Sequence, residues 1–320
     1  MNAFRRCRRL HYYRYEVGLR PIEDAEALRW GKMQHAALDV LETNGLDAAL
    51  SMIYQSVDAW RNSQRFIPYT IAATTRAYTD KWKDCPFVAE TLATERSFEL
   101  PLVNPATGRI SRTFVVGGKI DRIVRLHNGM VAILETKTTK DNPADDRYWR
   151  RLLIDPQISL YYLAARELGF DVQTIMYDVI HKPGKRPLLA TPIENRKYKK
   201  DGMLYANNRE FDETPAEWEV RIFEDMQDRS DFYLARNELA RLESDLDEFK
   251  HEVWDIAKDI RSAQIDNRHY RSPHKFNCDN CNYFEMCTGM IDLEANPVPD
   301  GFEIVENVHP ELKTESEVLV

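Results

Sequence analysis

The sequence lacks any long apolar run and has too few cysteines for a disulfide framework. No stretch of about 18 uninterrupted apolar residues occurs, which excludes a membrane-spanning helix. The first ten residues hold four arginines and no apolar segment, so we expect no secretory signal. Five unevenly spaced cysteines favour metal binding in a reducing cytoplasm, the expected location. No G-x-x-x-x-G-K-[ST] motif occurs either, so the chain has no recognisable ATP-driven motor of its own.

The net charge of −8 conceals two regions of opposite sign. Residues 1–209 contain 33 lysines and arginines against 24 acidic residues, whereas residues 210–260 contain 6 against 17. A surface that binds a polyanion is therefore possible on the first two thirds of the chain, with a merely solvated basic face as the alternative. We interpret the acidic stretch as a solvated helix face.

Hydrophobic periodicity predicts a mixed α/β core between two helical parts. Helices are predicted over residues 4–19, 23–42, 46–62, 70–84, 156–168 and from about 214 to 263, and strands over 95–103, 114–125, 130–137, 172–180 and, at a sheet edge, 187–193. Asn128-Gly129 predicts a hairpin between the second and third strands. The expected regions are N-terminal helices (1–90), a core (91–210), C-terminal helices with a cysteine cluster (211–295) and an acidic tail (296–320).

The third predicted strand ends in charged residues that are costly to half-bury without a purpose. Glu135 and Lys137 lie two apart and so share one face of the strand, while Asp121 lies on the strand before it. Two carboxylates that converge from neighbouring strands suit a hard cation such as Mg²⁺, and the lysine could position or deprotonate an attacking water. From these residues alone, the alternative is an ordinary cross-strand salt bridge.

Two helices contribute further candidates. Gln157 and Tyr161 lie four apart and share one face of the helix that follows the hairpin. His35 lies upstream in an amphipathic helix, where a lone histidine is most often a packed or capping residue.

The candidates form an ordered series along the chain. It reads Gly31-x-x-x-His35, Gly118-x-x-Asp121, Glu135-x-Lys137 and Gln157-x-x-x-Tyr161. This series resembles the motifs of the PD-(D/E)XK nuclease superfamily, specifically its RecB-like branch, which includes the RecB and AddB nuclease domains and CRISPR-associated exonucleases. The resemblance implies a restriction-endonuclease-like fold, a mixed sheet flanked by helices. It also implies that Lys137 positions the nucleophilic water while Gln157 and Tyr161 hold the lysine and the DNA backbone in place.

The same resemblance implies a metal site and an activity. His35, Asp121, Glu135 and the backbone carbonyl of Thr136 would bind Mg²⁺ or Mn²⁺. The implied activity is hydrolysis of DNA, from single-stranded or duplex ends, in recombination, repair, or phage or CRISPR DNA processing. The chain would act alone or with a separate helicase, annealing or integration partner. The alternatives are a non-catalytic DNA-binding or assembly subunit and a zinc-containing RNA-processing protein.

Three cysteines cluster near the C-terminus, at Cys278, Cys281 and Cys287. A C-x-x-C spacing lets two thiolates face one ion, and a closed site needs a fourth ligand, for which Cys7 or His274 is available. By spacing alone, zinc is favoured over an iron–sulfur cluster.

A subset of RecB-like nucleases carries one N-terminal and three C-terminal cysteines that bind a [4Fe–4S] cluster, and the chain is similar to that subset. The similarity implies an iron–sulfur cluster on Cys7, Cys278, Cys281 and Cys287 that joins the two ends of the chain. Cys85 falls outside this pattern and is interpreted as a core or surface thiol.

The segment around Cys7 is rich in arginine and tyrosine. Arg8, Arg9, Tyr12 and Arg14 are candidates to contact phosphates and stack on single-stranded bases. The alternative is an amphipathic helix whose arginines extend over its surface while the tyrosines pack.

Overall fold

The computed structural model describes residues 1–84, 87–309 and 312, and a five-stranded mixed sheet lies at its centre. The strand order is β2-β3-β4-β5-β6; the β4–β5 pair is parallel and the other three pairs are antiparallel. A second sheet pairs β1 with β7. The strands are β1 (Leu19–Pro21), β2 (Val88–Val103), β3 (Ile110–Leu126), β4 (Val131–Thr139), β5 (Thr174–His181), β6 (Leu234–Leu239) and β7 (Phe302–Ile304). Cys85 lies outside the described residues, so its interpretation stays a prediction.

Helices cover both faces of the sheet. They are α1 (Asn2–Arg6), α2 (Arg8–His11), α3 (Glu26–Asn44), α4 (Leu46–Gln55), α5 (Ile67–Trp82), α6 (Asp146–Leu152), α7 (Pro156–Glu167), α8 (Pro215–Asp228), α9 (Ser230–Tyr233), α10 (Glu243–Ile265), α11 (Lys275–Cys278) and α12 (Phe284–Thr288). A π-helical turn at Tyr12–Glu16 continues α2. Across the described ranges, no helix is long and apolar enough to cross a membrane.

Local sequence signals account for the hairpins and helix starts. The predicted Asn128-Gly129 hairpin is confirmed, since Gly129 has a φ of 86° and the Leu126 amide donates to the Met130 carbonyl over 2.8 Å. Thr214 accepts from the Glu217 amide and begins α8 in a capping box.

Side chains alternate between the two faces of the central strands, so a separate hydrophobic core lies on each face of the sheet. Ile133 of β4 packs with α7 and α10, whose Tyr161 and Phe249 belong to the same cluster. On the opposite face of the sheet, Ile180 packs with α3, α4, α5 and α8. Because successive side chains of a strand point to opposite faces, Glu135 lies on the α7 face, and Thr136 on the α3 face.

Three predicted elements differ from the structure. Residues 187–193 form no strand but an irregular segment followed by a 3₁₀ turn at Ile193–Asn195. The edge strand is instead β6, inside the stretch predicted to consist of helices, where it pairs antiparallel with β5. Its buried end residues, Leu234 and Leu239, complete the two cores. The predicted first helix is also interrupted, because Cys7 is extended, with φ −164° and ψ 121°.

Direct protein contacts join the N-terminal and C-terminal segments. β1 pairs with β7, the Tyr283 hydroxyl donates to the Leu19 carbonyl over 2.8 Å, and the Tyr13 hydroxyl donates to the Met286 carbonyl over 3.3 Å. A small apolar cluster lies around these tyrosines. A bound metal cluster would therefore reinforce a junction that side chains and backbone already make.

Candidate active site

Asp121 and Glu135 meet where β3 and β4 separate. The pairing of Arg122 with Leu134 places the two carboxyl groups side by side on the α7 face of the sheet. The Thr136 amide, 3.5 Å from Asp121 Oδ2, points at the same carboxylate. Glu135 is 1% exposed, whereas the Asp121 side chain is 26% exposed, so the pair reaches from the core to the surface.

Glu135 is the buried charge of this site. Burial raises the pKa of its carboxyl to about 7, with Lys137 opposing the shift and Asp121 adding to it. Lys137 forms an ion pair with Oε1. Oε2 is buried and, among the described residues, has no hydrogen-bond donor. A buried carboxylate oxygen without a partner is costly, so this position is suited to a cation or a bound donor.

Asp121 faces the helix that carries His35. His35 Nδ1 is 3.6 Å from Asp121 Oδ2, because α3 packs over the end of β4. Burial raises the pKa of Asp121, while the nearby His35 and Lys137 oppose that rise. The structure thus brings together His35, Asp121, Glu135 and Lys137 from one helix and two strands.

Gln157 and Tyr161 line the other side of Glu135. Gln157 Nε2 donates to the Tyr161 hydroxyl over 2.6 Å, so the predicted shared face of α7 is confirmed. Burial, together with Glu135 and Asp121, raises the pKa of Tyr161, which keeps its hydroxyl neutral. Although burial by itself would lower the pKa of Lys137, the carboxylates of Glu135, Asp121 and Asp155 together outweigh it, and the pKa of Lys137 is raised.

Side-chain packing explains why position 118 is a glycine. A Cβ at this position would lie 2.6 Å from the Phe98 ring, which covers the glycine from the paired position on β2. Phe98 in turn contacts Tyr161 edge-on, with ring centroids 6.2 Å apart. The glycine therefore allows the aromatic contact that supports Tyr161 beside Glu135.

Two side chains near the site were missed by sequence reasoning. Asp155 caps α7 by accepting from the Gln157 amide over 2.8 Å, and its charge contributes to the raised pKa of both Glu135 and Lys137. Tyr177 is the partner of Glu135 on β5. The sequence shows that Asp155-Pro156 starts a helix, but it does not show that Asp155 lies close to Glu135 of β4.

The donor set fits a hard divalent cation, although it is not assembled as a coordination sphere. Across residues 1–84 and 87–309, no three His, Cys, Asp or Glu side chains are arranged to hold a metal ion. However, Glu135 Oε2 is unpaired, and Asp121 and Glu135 both carry raised pKa values beside each other. Oxygen donors of this kind are those that Mg²⁺ and Mn²⁺ prefer.

Comparison with protein families agrees with this geometry. The family model of the PD-(D/E)XK nuclease superfamily matches residues 1–288. The chain belongs to the PD-(D/E)XK nuclease superfamily. No curated protein matches the sequence closely enough to count as a relative. The five-stranded mixed sheet flanked by helices is consistent with the restriction-endonuclease-like fold expected of the superfamily.

The four cysteines of the expected cluster lie around one cavity in this PD-(D/E)XK chain. Cys7, Cys278, Cys281 and Cys287 line a space of about 220 Å³ together with Tyr283. Burial raises the pKa of the Cys281 thiol, and Cys7 and Cys287 add to that shift. As with the carboxylates, these thiols are not in a metal-binding arrangement.

His274, the alternative fourth ligand, has another role. Its Nδ1 lies 3.3 Å from the Phe276 amide, where it caps α11. Cys7, not His274, is among the residues around the cavity.

The arginine- and tyrosine-rich segment of the nuclease is largely occupied by internal contacts. Arg8 forms an ion pair with Asp259 over 3.0 Å, and Arg9 donates to the His269 carbonyl over 2.7 Å. Tyr12 stacks on His269, while Arg14 is exposed. DNA contact by these residues stays a prediction.

Proposed function

We propose that the protein is a metal-dependent deoxyribonuclease that degrades DNA from its ends. The observation that carries this proposal is the buried Glu135 carboxylate, held between Asp121 and Lys137 with one oxygen unpaired. Burying these charges is costly, and an ordinary surface salt bridge would not need them there. The presence of all four motif residues, His35, Asp121, Glu135 and Lys137, also argues against the alternative of a non-catalytic subunit.

Each side chain has a proposed part in the reaction. Asp121, Glu135, His35 and the Thr136 carbonyl would hold Mg²⁺ or Mn²⁺, which when bound lowers the pKa of water and neutralises charge on the phosphate. Lys137 would donate to the nucleophilic water and stabilise charge that develops on the phosphate oxygens. Gln157 and Tyr161, bonded to each other, would restrict Lys137 and the DNA backbone to one arrangement.

The test is degradation of end-labelled DNA by anaerobically purified protein in Mg²⁺, Mn²⁺ or EDTA. We expect cleavage in either metal and none in EDTA, with labelled products that shorten progressively from one end. Internal products at the earliest times would overturn the end-directed part of the proposal. If no single-stranded or duplex DNA is cut in either metal, the enzymatic assignment fails and a binding subunit is favoured.

Replacing Asp121 with alanine is expected to weaken Mn²⁺ binding at least tenfold. Removing one carboxylate from a site with two takes away a direct oxygen ligand and half of its negative charge. Titration calorimetry with Mn²⁺ on the parent and on Asp121→Ala measures the change. The control is Asp247→Ala, which removes an exposed aspartate that pairs with Lys250 on α10. Equal Mn²⁺ affinity in the parent and Asp121→Ala would mean that Asp121 is not a ligand.

We also propose a [4Fe–4S] cluster on the four cysteines, with zinc as the alternative. Their convergence on one cavity from both ends of the chain supports a shared ligand. Four thiolates around one centre are the ligand set of such clusters. Binding of the cluster would require the four thiols to move closer together. The bound cluster would then reinforce the β1–β7 junction.

Replacing Cys281 with serine is expected to remove the brown colour of the protein and to lower its midpoint of urea unfolding. Cys281 lies near enough to Cys7 and Cys287 for both to raise the pKa of its thiol, so its loss would remove one of four adjacent ligands. Absorption near 400 nm and iron and zinc content are measured together with unfolding. Cys85→Ser, outside the motif, should retain the colour. A Cys281→Ser protein with unchanged metal content would contradict the ligand assignment, and a colourless parent containing zinc would favour the zinc alternative.

A further inference from the structure

A small hairpin projects from the segment that replaces the predicted edge strand. Tyr198 pairs with Leu204 in an antiparallel bridge. The Lys199 amide donates to the Met203 carbonyl over 2.7 Å, and the Tyr205 amide donates to the Lys197 carbonyl over 3.0 Å. The turn between them contains Gly202, with a φ of 82°. Backbone hydrogen bonds therefore hold residues 197–205 in a defined shape.

The base of the hairpin is also anchored. Asn208 Oδ1 accepts from the Lys197 amide over 2.8 Å, and the Thr191 amide donates to the Arg209 carbonyl over 2.9 Å. Arg196 donates to the carbonyls of Thr191 and Glu210. The projection is thus built on a rigid stem, which is the condition for a contact surface that loses little entropy on binding.

The segment is strongly basic, and its tip charges are unpaired. Residues 182–209 contain eight lysines and arginines and only two acidic residues, Glu194 and Asp201. Within the described part of the chain, Lys197, Lys199 and Lys200 form no ion pair, whereas the exposed Lys250 and Lys258 of α10 each pair with an aspartate. The hairpin lysines are therefore available to an external anion.

One face of the hairpin combines these charges with an exposed ring. Because Tyr198 opposes Leu204, the neighbouring residues Lys197, Lys199, Met203 and Tyr205 point to the other face. Tyr205 is 49% exposed and Met203 is 59% exposed. We call these four residues the hairpin face. Ammonium groups beside an unstacked aromatic ring are the elements that bind single-stranded nucleic acid.

The segment begins at the sheet edge where the candidate active site opens. β5 runs parallel to β4, with Val179 paired to Lys137 and His181 paired to Thr139. Lys182 then donates to the Ala27 carbonyl over 3.0 Å on α3, the helix that carries His35. A strand of DNA bound at Lys137 would therefore lie on the same edge as the start of the hairpin segment.

We propose that the hairpin face binds single-stranded DNA, with Lys197 and Lys199 on phosphates and Tyr205 stacked on a base. This assignment rests on the proposed nuclease function for its biological meaning. A duplex would leave Tyr205 without a base to stack on, because its bases are already stacked and paired.

The test is fluorescence anisotropy with a fluorescein-labelled 20-residue oligothymidylate in EDTA, where binding is measured without cleavage. Tyr205→Ala is expected to weaken binding about tenfold, the scale of one lost base stack. Lys197→Ala/Lys199→Ala is expected to reduce the slope of log K against log salt by about 1.4, since each phosphate contact on a single strand contributes roughly 0.7. The controls are Lys250→Ala/Lys258→Ala for charge and Tyr198→Ala for the opposite face of the hairpin.

The outcomes separate this proposal from the nuclease assignment. Loss of affinity confined to the hairpin-face variants, with unchanged thermal unfolding, supports the proposal whether or not the parent cleaves DNA. Unchanged affinity and salt slope in both hairpin-face variants would overturn it while leaving metal-dependent cleavage intact. An equal loss in Tyr198→Ala, or a parent that does not bind the oligonucleotide at low salt, would also overturn it.

Discussion

Replacing Lys137 with alanine is expected to lower the rate of DNA cleavage by roughly 10³-fold or more. The Lys137 ammonium is the cation that the structure places beside Glu135, and its pKa is raised by that carboxylate. Under the proposed mechanism, the variant would no longer orient the water or stabilise charge on the phosphate from this side. The expected loss is therefore in the rate constant of the chemical step, measured by single-turnover cleavage of end-labelled DNA in saturating Mn²⁺.

The binding of DNA should survive this substitution. We expect the affinity of Lys137→Ala for the labelled oligothymidylate in EDTA to stay within about twofold of the parent. The substitution removes at most one of the contacts between the protein and the DNA phosphates. Lys83→Ala is the matched control. Lys83 is exposed, lies directly after the end of α5 and forms an ion pair with Asp80 of that helix. Retained cleavage by pure Lys137→Ala protein would remove Lys137 from the reaction. A parallel fall in affinity and rate would instead identify it as a general binding residue.

Replacing Asp178 with alanine is expected to destabilise the fold by about 3–5 kcal/mol. Asp178 is 1% exposed and accepts from Arg236 Nη2 over 2.8 Å and from the Tyr78 hydroxyl. Arg236 is enclosed between the rings of Trp82 and Phe87, 4.0 Å and 3.8 Å from its guanidinium carbon. The substitution leaves this buried guanidinium without its counter-charge, which costs more than the lost hydrogen bonds.

Equilibrium urea unfolding of preparations with matched metal content measures this effect. Asp247→Ala, which breaks an exposed pair with Lys250, should change the free energy of unfolding by less than about 0.5 kcal/mol. Asp178→Ala/Arg236→Met should recover part of the loss, because no unpaired charge then remains buried. If Asp178→Ala is as mild as the surface control, Arg236 has access to water or to another anion.

Local chemistry made much of the fold predictable. The β3–β4 hairpin follows from Asn128-Gly129, and the start of α8 from Thr214 and Glu217, since these residues satisfy or shape the backbone within a few positions of themselves. The shared face of Gln157 and Tyr161 follows from helical spacing.

The edge of the sheet was not predictable in the same way. β6 (LARNEL) is composed mostly of residues that favour helices and becomes a strand because β5 offers it an unpaired edge. Residues 187–193 have the apolar pattern of a strand but join no sheet in the described fold; Leu188 and Thr191 hydrogen-bond instead with the backbone of Glu213 and Arg209. Strand pairing is a non-local interaction, so the pattern of one segment does not determine it.

The sequence by itself determined the order and spacing of the motif residues, and with them the superfamily. Only the tertiary structure decided that Glu135 is buried with one oxygen unpaired, that Asp155 adds its charge to the site, and that Cys7 lies beside three cysteines about 270 positions away in the chain. The physical reason is that residue type and period are local properties. Burial, desolvation and the meeting of distant charges depend on which surfaces the whole chain brings together.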